Sequence, residues 1–214
     1  FLHRYKTPQA GRGAMRSPLH AALVDRKATF RSVSGFEAAD YFDGPSEPLT
    51  WGEPPFFDVW AEEHRAVREK CGLIDMSFMT KLVIAGPDAC RVLQRLSTSD
   101  IDTGKMTYTQ WLNAKTGGVE ADVTVCKLPR VTWAPTDDAF LVVATDTVHR
   151  RVQAMVRREI RAGEVCFAFD MTGGLAKIDV QGPSSKDVLP FLDDLPFRGV
   201  STLTIGRCAS VLAA

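Results

Sequence analysis

The stretch K-L-V-I-A-G-P-D-A-C-R-V-L-Q-R-L (residues 81–96) recurs as K-I-D-V-Q-G-P-S-S-K-D-V-L-P-F-L (residues 177–192). Each copy predicts a strand, a Gly-Pro turn that places proline at a helix start, and a short helix. Two copies indicate a duplicated βα half, because a solenoid needs at least three repeats. The predicted fold class is therefore α+β, with similar halves, antiparallel or mixed sheets and helices on the outer faces. The coinciding positions, at a constant offset of 96, are Lys81/Lys177, Gly86/Gly182, Pro87/Pro183, Val92/Val188, Leu93/Leu189 and Leu96/Leu192.

Hydrophobic periodicity and turn residues place the other elements along the chain. Helices are predicted after Ser17 as N-cap, from Asp58 to about Cys71, and over Thr147–Ala162. The five arginines of the helix predicted over Thr147–Ala162 are interpreted as a solvated outer face. They are Arg150, Arg151, Arg157, Arg158 and Arg161. Strands are predicted at Lys81–Ala85, Thr107–Leu112, Val119–Leu128, Phe140–Ala144, Ala176–Gln181, Thr202–Ile205 and Cys208–Ala213.

The composition excludes several classes of protein. The chain has 214 residues, 45% of them apolar, with 26 Lys+Arg against 26 Asp+Glu. This apolar content and zero formal charge argue against disorder, and neutrality argues against nucleic-acid binding. The longest apolar stretches are about five residues, whereas a membrane span needs roughly 20. Five scattered cysteines without a C-x-x-C pair, and no two histidines within four residues of one another, predict neither a disulfide framework nor a metal site.

The most unusual local feature is Y-T-Q-W-L-N-A-K-T-G-G-V-E-A-D-V-T-V (residues 108–125). Two strand-like runs flank a glycine-containing loop, which predicts a hairpin. Alternation places Val119, Ala121, Val123 and Val125 on one face of the second strand and Asp122 on the other. Asp is disfavoured inside strands. Asp122 is therefore either on the solvent-exposed face of an edge strand or a carboxylate held rigidly over a pocket.

An ordered set of motifs across about 190 residues resembles the folate-binding aminomethyltransferase family, the T-protein of the glycine cleavage system. The form fused to the C-terminal side of sarcosine and dimethylglycine dehydrogenases is the most similar. The motifs are E-H-R-A-V-R-E-K-C-G-L-I-D-M-S (63–77), G-P-D-A (86–89), Y-T-Q-W-L-N (108–113), G-G-V-E-A-D-V-T-V (117–125) and Q-G-P-S-S (181–185).

The resemblance implies a site and a reaction. The acidic residue of the G-G-x-x-x-D motif lies beside the pteridine of tetrahydrofolate in this family, which makes Asp122 the candidate catalytic residue. Val123 and Thr124 line the same strand segment, and Tyr108 and Asn113 flank the pocket. Asp75 and Ser77 are expected to organise a turn rather than to contact ligand. The implied chemistry is transfer of one carbon from a methylamine or aminomethyl donor to tetrahydrofolate, with no metal.

The resemblance also predicts an organisation of the chain. Residues 1–50 resemble the segment that connects the flavin and folate halves of dimethylglycine dehydrogenase-type enzymes, and residues 51–214 the N-terminal part of the folate-binding domain. The chain starts at Phe1 and stops after an apolar run, so we expect a fragment whose folate site is truncated. FAD is expected only if a flavin domain precedes this chain. The expected compartment is mitochondrial in a eukaryote and cytoplasmic in a prokaryote.

A second class of function remains open at this point. The regulatory subunit of pyruvate dehydrogenase phosphatase shares this layout, and such a protein would be non-catalytic. The presence of Asp122 favours an enzyme. The sequence leaves open which methylamine is the substrate.

Overall fold

The computed structural model describes residues 10–45, 51–129, 134, 138–192, 194–205 and 208–213. Within them, no helix has the length and apolar character that crossing a membrane requires. The helices are α1 (His20–Asp25), α2 (Phe57–Glu69), α3 (Ala89–Leu96), α4 (His149–Glu159) and α5 (Ser185–Val188). The strands are β1 (Met15–Arg16), β2 (Ala28–Val33), β3 (Phe36–Phe42), β4 (Gly72–Asp75), β5 (Thr80–Ala85), β6 (Thr107–Leu112), β7 (Val119–Lys127), β8 (Ala139–Ala144), β9 (Phe167–Asp170), β10 (Ile178–Gln181), β11 (Ser201–Ile205) and β12 (Cys208–Ala213).

The predicted α+β class is confirmed, and each predicted strand has a counterpart. The helices predicted from Asp58 and Thr147 are present as α2 and α4. The helix predicted after Ser17 is shorter than expected, and Leu19 rather than Ser17 is its N-cap. Ser17 lies two residues earlier, where its hydroxyl donates a hydrogen bond to Asp75. The prediction missed β4 and β9, and it missed β1, β2 and β3, which form a three-stranded sheet in the Gly/Pro-punctuated start of the chain.

The chain divides into two compact units. The first takes its described residues from Phe1–Phe78 and Gly173–Asp193 and contains the sheet β1-β3-β2 and the pair β10-β4. The second takes them from Met79–Thr172 and Asp194–Ala214 and contains the sheet β6-β7-β8-β5-β9 and the pair β11-β12. The predicted boundary at residue 50 adjoins residues 46–50, which lie outside the described residues, and it stays a prediction.

The antiparallel five-stranded sheet carries the main hydrophobic core of the second unit. All six residues of β5 are buried, as expected for a central strand covered on both faces. Helices α3 and α4 cover one face, where Val92, Leu93, Val152 and Val156 pack against the strands. Trp111 of β6 is fully buried in the same cluster, and its indole N–H donates to Ser97 Oγ at 3.1 Å. On the opposite face, the β5 residues are buried as well, whereas Tyr108 of β6 and Asp122 of β7 are exposed.

The two copies of the sequence repeat have the same backbone geometry at their Gly-Pro turns. Gly86 follows β5 with φ +124°, and Gly182 follows β10 with φ +122°. Two residues later, the Asp88 N–H donates to the carbonyl of Val165, and the Ser184 N–H donates to the carbonyl of Lys70. Both Gly-Pro turns thus begin their helices against the backbone that leads into a neighbouring antiparallel strand, β9 in one unit and β4 in the other.

A second repeated element was missed in the sequence. Asp75-Met-Ser and Asp170-Met-Thr each close a strand with a side chain–backbone turn, in which the carboxylate accepts the N–H two residues ahead, at 3.0 Å in both cases. The Ser77 hydroxyl accepts the Lys177 N–H, and the Thr172 hydroxyl accepts the Lys81 N–H. Each unit therefore pairs a strand of one repeat with a strand of the other.

Arg12 and Glu37 form a partly buried ion pair in the first unit. The guanidinium donates to both carboxylate oxygens of Glu37, at 2.7 and 2.6 Å, and the Gly13 N–H donates to one of them at 2.7 Å. The Arg12 hydrogen bonds hold the pKa of Glu37 at about 2, below its ordinary value of 4.5. A lowered pKa in the folded state stabilises the protein above pH 4.5, and this contribution is lost as the pH falls towards 2.

We expect Glu37→Gln to lower the free energy of unfolding at pH 7 by about 2 kcal/mol, the usual contribution of hydrogen bonds to a charged group. The variant should also lose part of the stability change between pH 4.5 and pH 2. Chemical unfolding followed by circular dichroism at several pH values measures both effects. Glu62→Gln, at an exposed position of α2, is the matched control. An acid profile identical to that of the wild type would contradict the prediction.

Candidate functional site

Asp122 lies in the middle of β7, on the sheet face opposite α3 and α4. It is directly opposite Gln110 of β6 in the register. The carboxylate is exposed, and the Tyr108 hydroxyl approaches its Oδ2 at 3.4 Å. The Tyr108 side chain is itself 52% exposed. The structure thus brings two of the predicted site residues together as a phenol–carboxylate pair on an open sheet surface.

The same face becomes apolar across the sheet. Tyr108 is opposite Thr124, which is opposite Val143 of β8. One row further on, Leu141 and Val83 lie on neighbouring strands and are buried. The exposed polar groups on β6 and β7 therefore give way to buried apolar residues on β8 and β5 along the same face.

Thr124 and Val123 have different positions although they are neighbours in sequence. Thr124 is half-buried on the face that carries Asp122. Val123 is only 2% exposed and its side chain belongs to the core cluster beneath α3 and α4. Consequently the Val123 side chain faces away from Asp122 and does not line the candidate site.

Asn113 organises the hairpin loop and lies away from Asp122. Its side-chain oxygen accepts the N–H groups of Lys115 and Thr116 at 2.9 and 3.1 Å, and its amide donates to Glu120 at 2.7 Å. Asn113 is three residues beyond Gln110, the cross-strand partner of Asp122, which corresponds to about 10 Å along a strand. The structure therefore does not bring Asn113 to the phenol–carboxylate pair.

A β-bulge explains why strict alternation fails at the start of β7. The register shifts between Trp111 and Leu112, so that Glu120 is the extra residue. Val119, which alternation places with the core valines, is consequently 59% exposed. The Glu120 carboxylate is directed to the Arg151 side chain of α4, with which it forms an ion pair.

The remaining candidate groups have structural roles. Asp75 accepts the Ser77 N–H, which confirms the predicted turn. The four cysteines whose side chains are described, Cys71, Cys90, Cys126 and Cys166, are free thiols. Burial raises the pKa of Cys126 to about 11, so this thiol is protonated at neutral pH. Among the described residues, no group of His, Cys, Asp and Glu could hold a metal ion.

Sequence reasoning missed Gln110 as a neighbour of Asp122. The signal was available, because Tyr108 and Gln110 are two residues apart in a strand and so share a face. The register between β6 and β7 determines which residues of the two strands lie opposite each other, and that register depends on the bulge.

The fold is that of an aminomethyltransferase-type domain. The chain is similar in structure to the solved glycine cleavage system aminomethyltransferase T from Bartonella henselae, with a TM-score of 0.61 and 21% sequence identity. The match covers 86% of this chain and 46% of the solved chain. This likeness shows the fold. Residues 19–213 match the model of the GCVT N-terminal domain, so the chain belongs to the GCVT N-terminal domain family.

Curated relatives place the domain inside longer proteins. The chain is 39% identical over 187 residues to 4-methylaminobutanoate oxidase (formaldehyde-forming) of Paenarthrobacter nicotinovorans. It is 30% identical over 200 residues to the mitochondrial pyruvate dehydrogenase phosphatase regulatory subunit of Mus musculus. The matches include 85% and 88% of this chain but only 22% of either relative.

Proposed function

We propose that this domain binds tetrahydrofolate and takes part in one-carbon transfer from a methylated amine. The parent activity would be that of a flavin-linked N-methylamine oxidase or dehydrogenase, or of an aminomethyltransferase. Similarity to an oxidase that forms formaldehyde and to an aminomethyltransferase supports this class of chemistry. The observation that carries the proposal is the Tyr108–Asp122 pair on the exposed face of β6 and β7.

The side chains at this position fit a reduced pterin. A carboxylate accepts hydrogen bonds from ring N–H and amino groups, which a pterin presents on one edge. The half-exposed Tyr108 ring offers an aromatic face for stacking on a flat heterocycle. The Gln110 amide, opposite Asp122, can both donate and accept hydrogen bonds. Tetrahydrofolate, when bound, would supply the nitrogen atoms that accept the one-carbon unit.

Asp122 would contribute electrostatics and proton transfer. A carboxylate about 4 Å from a cationic iminium substrate gains roughly 4 kcal/mol at an effective dielectric constant near 20. The same carboxylate can accept the proton that is lost when an amine nitrogen forms a bond to carbon. The Tyr108 hydroxyl, 3.4 Å from Oδ2 of Asp122, would donate a hydrogen bond to the same carboxylate. Holding donor and acceptor together would also limit the release of free formaldehyde.

A direct test is to titrate the full chain with tetrahydrofolate under reducing conditions and to measure the heat of binding by isothermal titration calorimetry. We expect saturable binding that Tyr108→Leu weakens by about tenfold, because both the aromatic face and the hydroxyl are lost. Phe57→Leu, which removes a similarly exposed ring from α2, should bind like the wild type. Absence of saturable binding would reject the proposal and favour a non-catalytic regulatory role, as the name of the phosphatase relative suggests.

The surroundings of the domain belong to the same proposal. FAD would be held by a separate flavin domain in a longer protein, consistent with the small share of each relative that this chain matches. The compartment would be the mitochondrion in a eukaryote and the cytoplasm in a prokaryote. The small-molecule partners would be tetrahydrofolate and a methylamine.

A further inference from the structure

A groove of about 860 Å³ lies between α4 and the β6–β7 hairpin, apart from Asp122. Leu96, Leu112 and Met155 form apolar parts of its wall, and Asn113 lies at its hairpin end. Four arginines and two glutamates also line it. The groove has the volume of a ligand-binding cleft and an excess of positive charge, although the chain as a whole is neutral.

Two of these arginines are neutralised within the groove. Arg151 forms an ion pair with Glu120, and Arg95 forms one with Glu159 at 2.6 Å. The other two arginines, Arg150 and Arg158, are exposed, and neither forms an ion pair with a carboxylate in the described part of the chain. They therefore account for the excess charge and are the groups available to an anion.

The distance between Arg150 and Arg158 along α4 determines how far apart two bound negative charges would lie. They are eight residues apart on α4, which corresponds to about 12 Å along a helix. Met155 lies between them on the wall of the groove. In an extended peptide, residues i, i+2 and i+4 project to one side, and i and i+4 are about 13 Å apart. A peptide with acidic residues at i and i+4 and an apolar residue at i+2 matches this arrangement of charge, apolar surface and charge.

We propose that this groove binds an extended acidic segment of a partner protein, with the pattern acidic–x–apolar–x–acidic. The two carboxylates pair with Arg150 and Arg158, and the apolar side chain between them contacts Met155. The Arg151–Glu120 and Arg95–Glu159 ion pairs hold α4 against the hairpin and α3, so the groove is formed before the segment binds. This inference does not depend on the proposed folate chemistry, because it involves different residues.

The test uses the full chain and a fluorescein-labelled peptide, Gly-Glu-Ser-Leu-Ser-Glu-Gly, in a fluorescence-anisotropy titration at low ionic strength. We expect saturable binding that Arg150→Gln/Arg158→Gln weakens at least tenfold. The matched control is Arg157→Gln/Arg68→Gln, which removes the same charge from exposed positions outside the groove and should change the Kd less than twofold. Circular dichroism verifies that both double variants are folded.

Three results would overturn the proposal. One is equal weakening by the two double variants, which would show non-specific attraction to the net charge. Another is unchanged binding when the central leucine of the peptide is replaced by asparagine, because the apolar contact would then be absent. The third is complete displacement of the peptide by an equal concentration of tripolyphosphate, which would identify the groove as a site for small anions.

Discussion

We expect Asp122→Asn to lower the rate of one-carbon transfer by at least about 100-fold at saturating tetrahydrofolate. The substitution keeps the size of the side chain but removes both the negative charge and the proton acceptor, and each effect is worth about 10²-fold or more in enzymes. The exposed position of Asp122 means that the fold should be unaffected, with a change in unfolding free energy below about 0.5 kcal/mol. Formation of the folate product by the full chain is measured with an aminomethyl donor, whose carbon is already at the oxidation level of formaldehyde and which releases ammonia, so that no oxidant is needed.

Asp102→Asn is the matched control for this experiment, because it removes a carboxylate from another exposed position in the same unit. The control should transfer at the wild-type rate. A comparison of kcat and KM separates chemistry from binding, since loss of a pterin hydrogen bond alone would raise KM and leave kcat unchanged. A folded Asp122→Asn protein with near wild-type kcat would remove Asp122 from the chemistry.

The sequence predicted the faces of the hairpin where strand geometry is regular and failed where it is not. A period of two correctly groups Ala121, Val123 and Val125 in the core and leaves Asp122 on the opposite face. It misplaces Val119, because the bulge at Glu120 shifts the register by one residue. Cross-strand pairing and the ion pair between Glu120 and Arg151 stabilise that bulge, and neither can be predicted from local sequence.

The candidate site illustrates a related limit. A motif is continuous in sequence, whereas a strand presents alternate residues to opposite faces. Tyr108 and Thr124 share the face of Asp122, but Val123 is buried on the other side and Asn113 is engaged in the loop. Resemblance therefore points to a strand segment, and only the structure distinguishes which side chains reach its open face.

The repeat was predictable as a pattern but its pairing was not. Identical spacing of Gly86 and Gly182 predicts two similar strand–turn–helix elements. It does not predict that the strand before each Asp-Met-Ser/Thr turn pairs with the other repeat, because such pairing depends on long-range hydrogen bonds from Lys81 and Lys177. Non-local strand pairing is the part of a fold that local propensity determines least.

The two repeat glycines lead to a second large effect, this time on stability. Gly86 has φ +124°, a conformation that L side chains rarely adopt. A Cβ at this position would lie 2.5 Å from the carbonyl oxygen of Val165. That oxygen accepts the Asp88 N–H at the start of α3, so it cannot move away without loss of the hydrogen bond. Backbone strain and steric overlap therefore act together at Gly86.

We expect Gly86→Ala to lower the free energy of unfolding by about 3 kcal/mol or more, since strain of this kind alone costs about 1–3 kcal/mol. For a chain of this size, such a loss lowers Tm by roughly 6–12 °C. Gly182→Ala should have a similar effect in the other unit, because its Cβ would lie 2.4 Å from the carbonyl oxygen of Lys70. Differential scanning calorimetry of the full chain measures both variants.

Gly163→Ala separates the two causes. Gly163 also has a positive φ, +86°, but an added Cβ meets nothing within 4 Å. Only the conformational cost of about 1–2 kcal/mol remains there. If Gly86→Ala and Gly163→Ala lower Tm equally, the contact with the Val165 carbonyl carries no energy and the repeated turn is a matter of backbone conformation alone. A clearly larger loss for Gly86→Ala, matched by Gly182→Ala, shows that close approach to the neighbouring backbone is why glycine stands at both positions of the repeat.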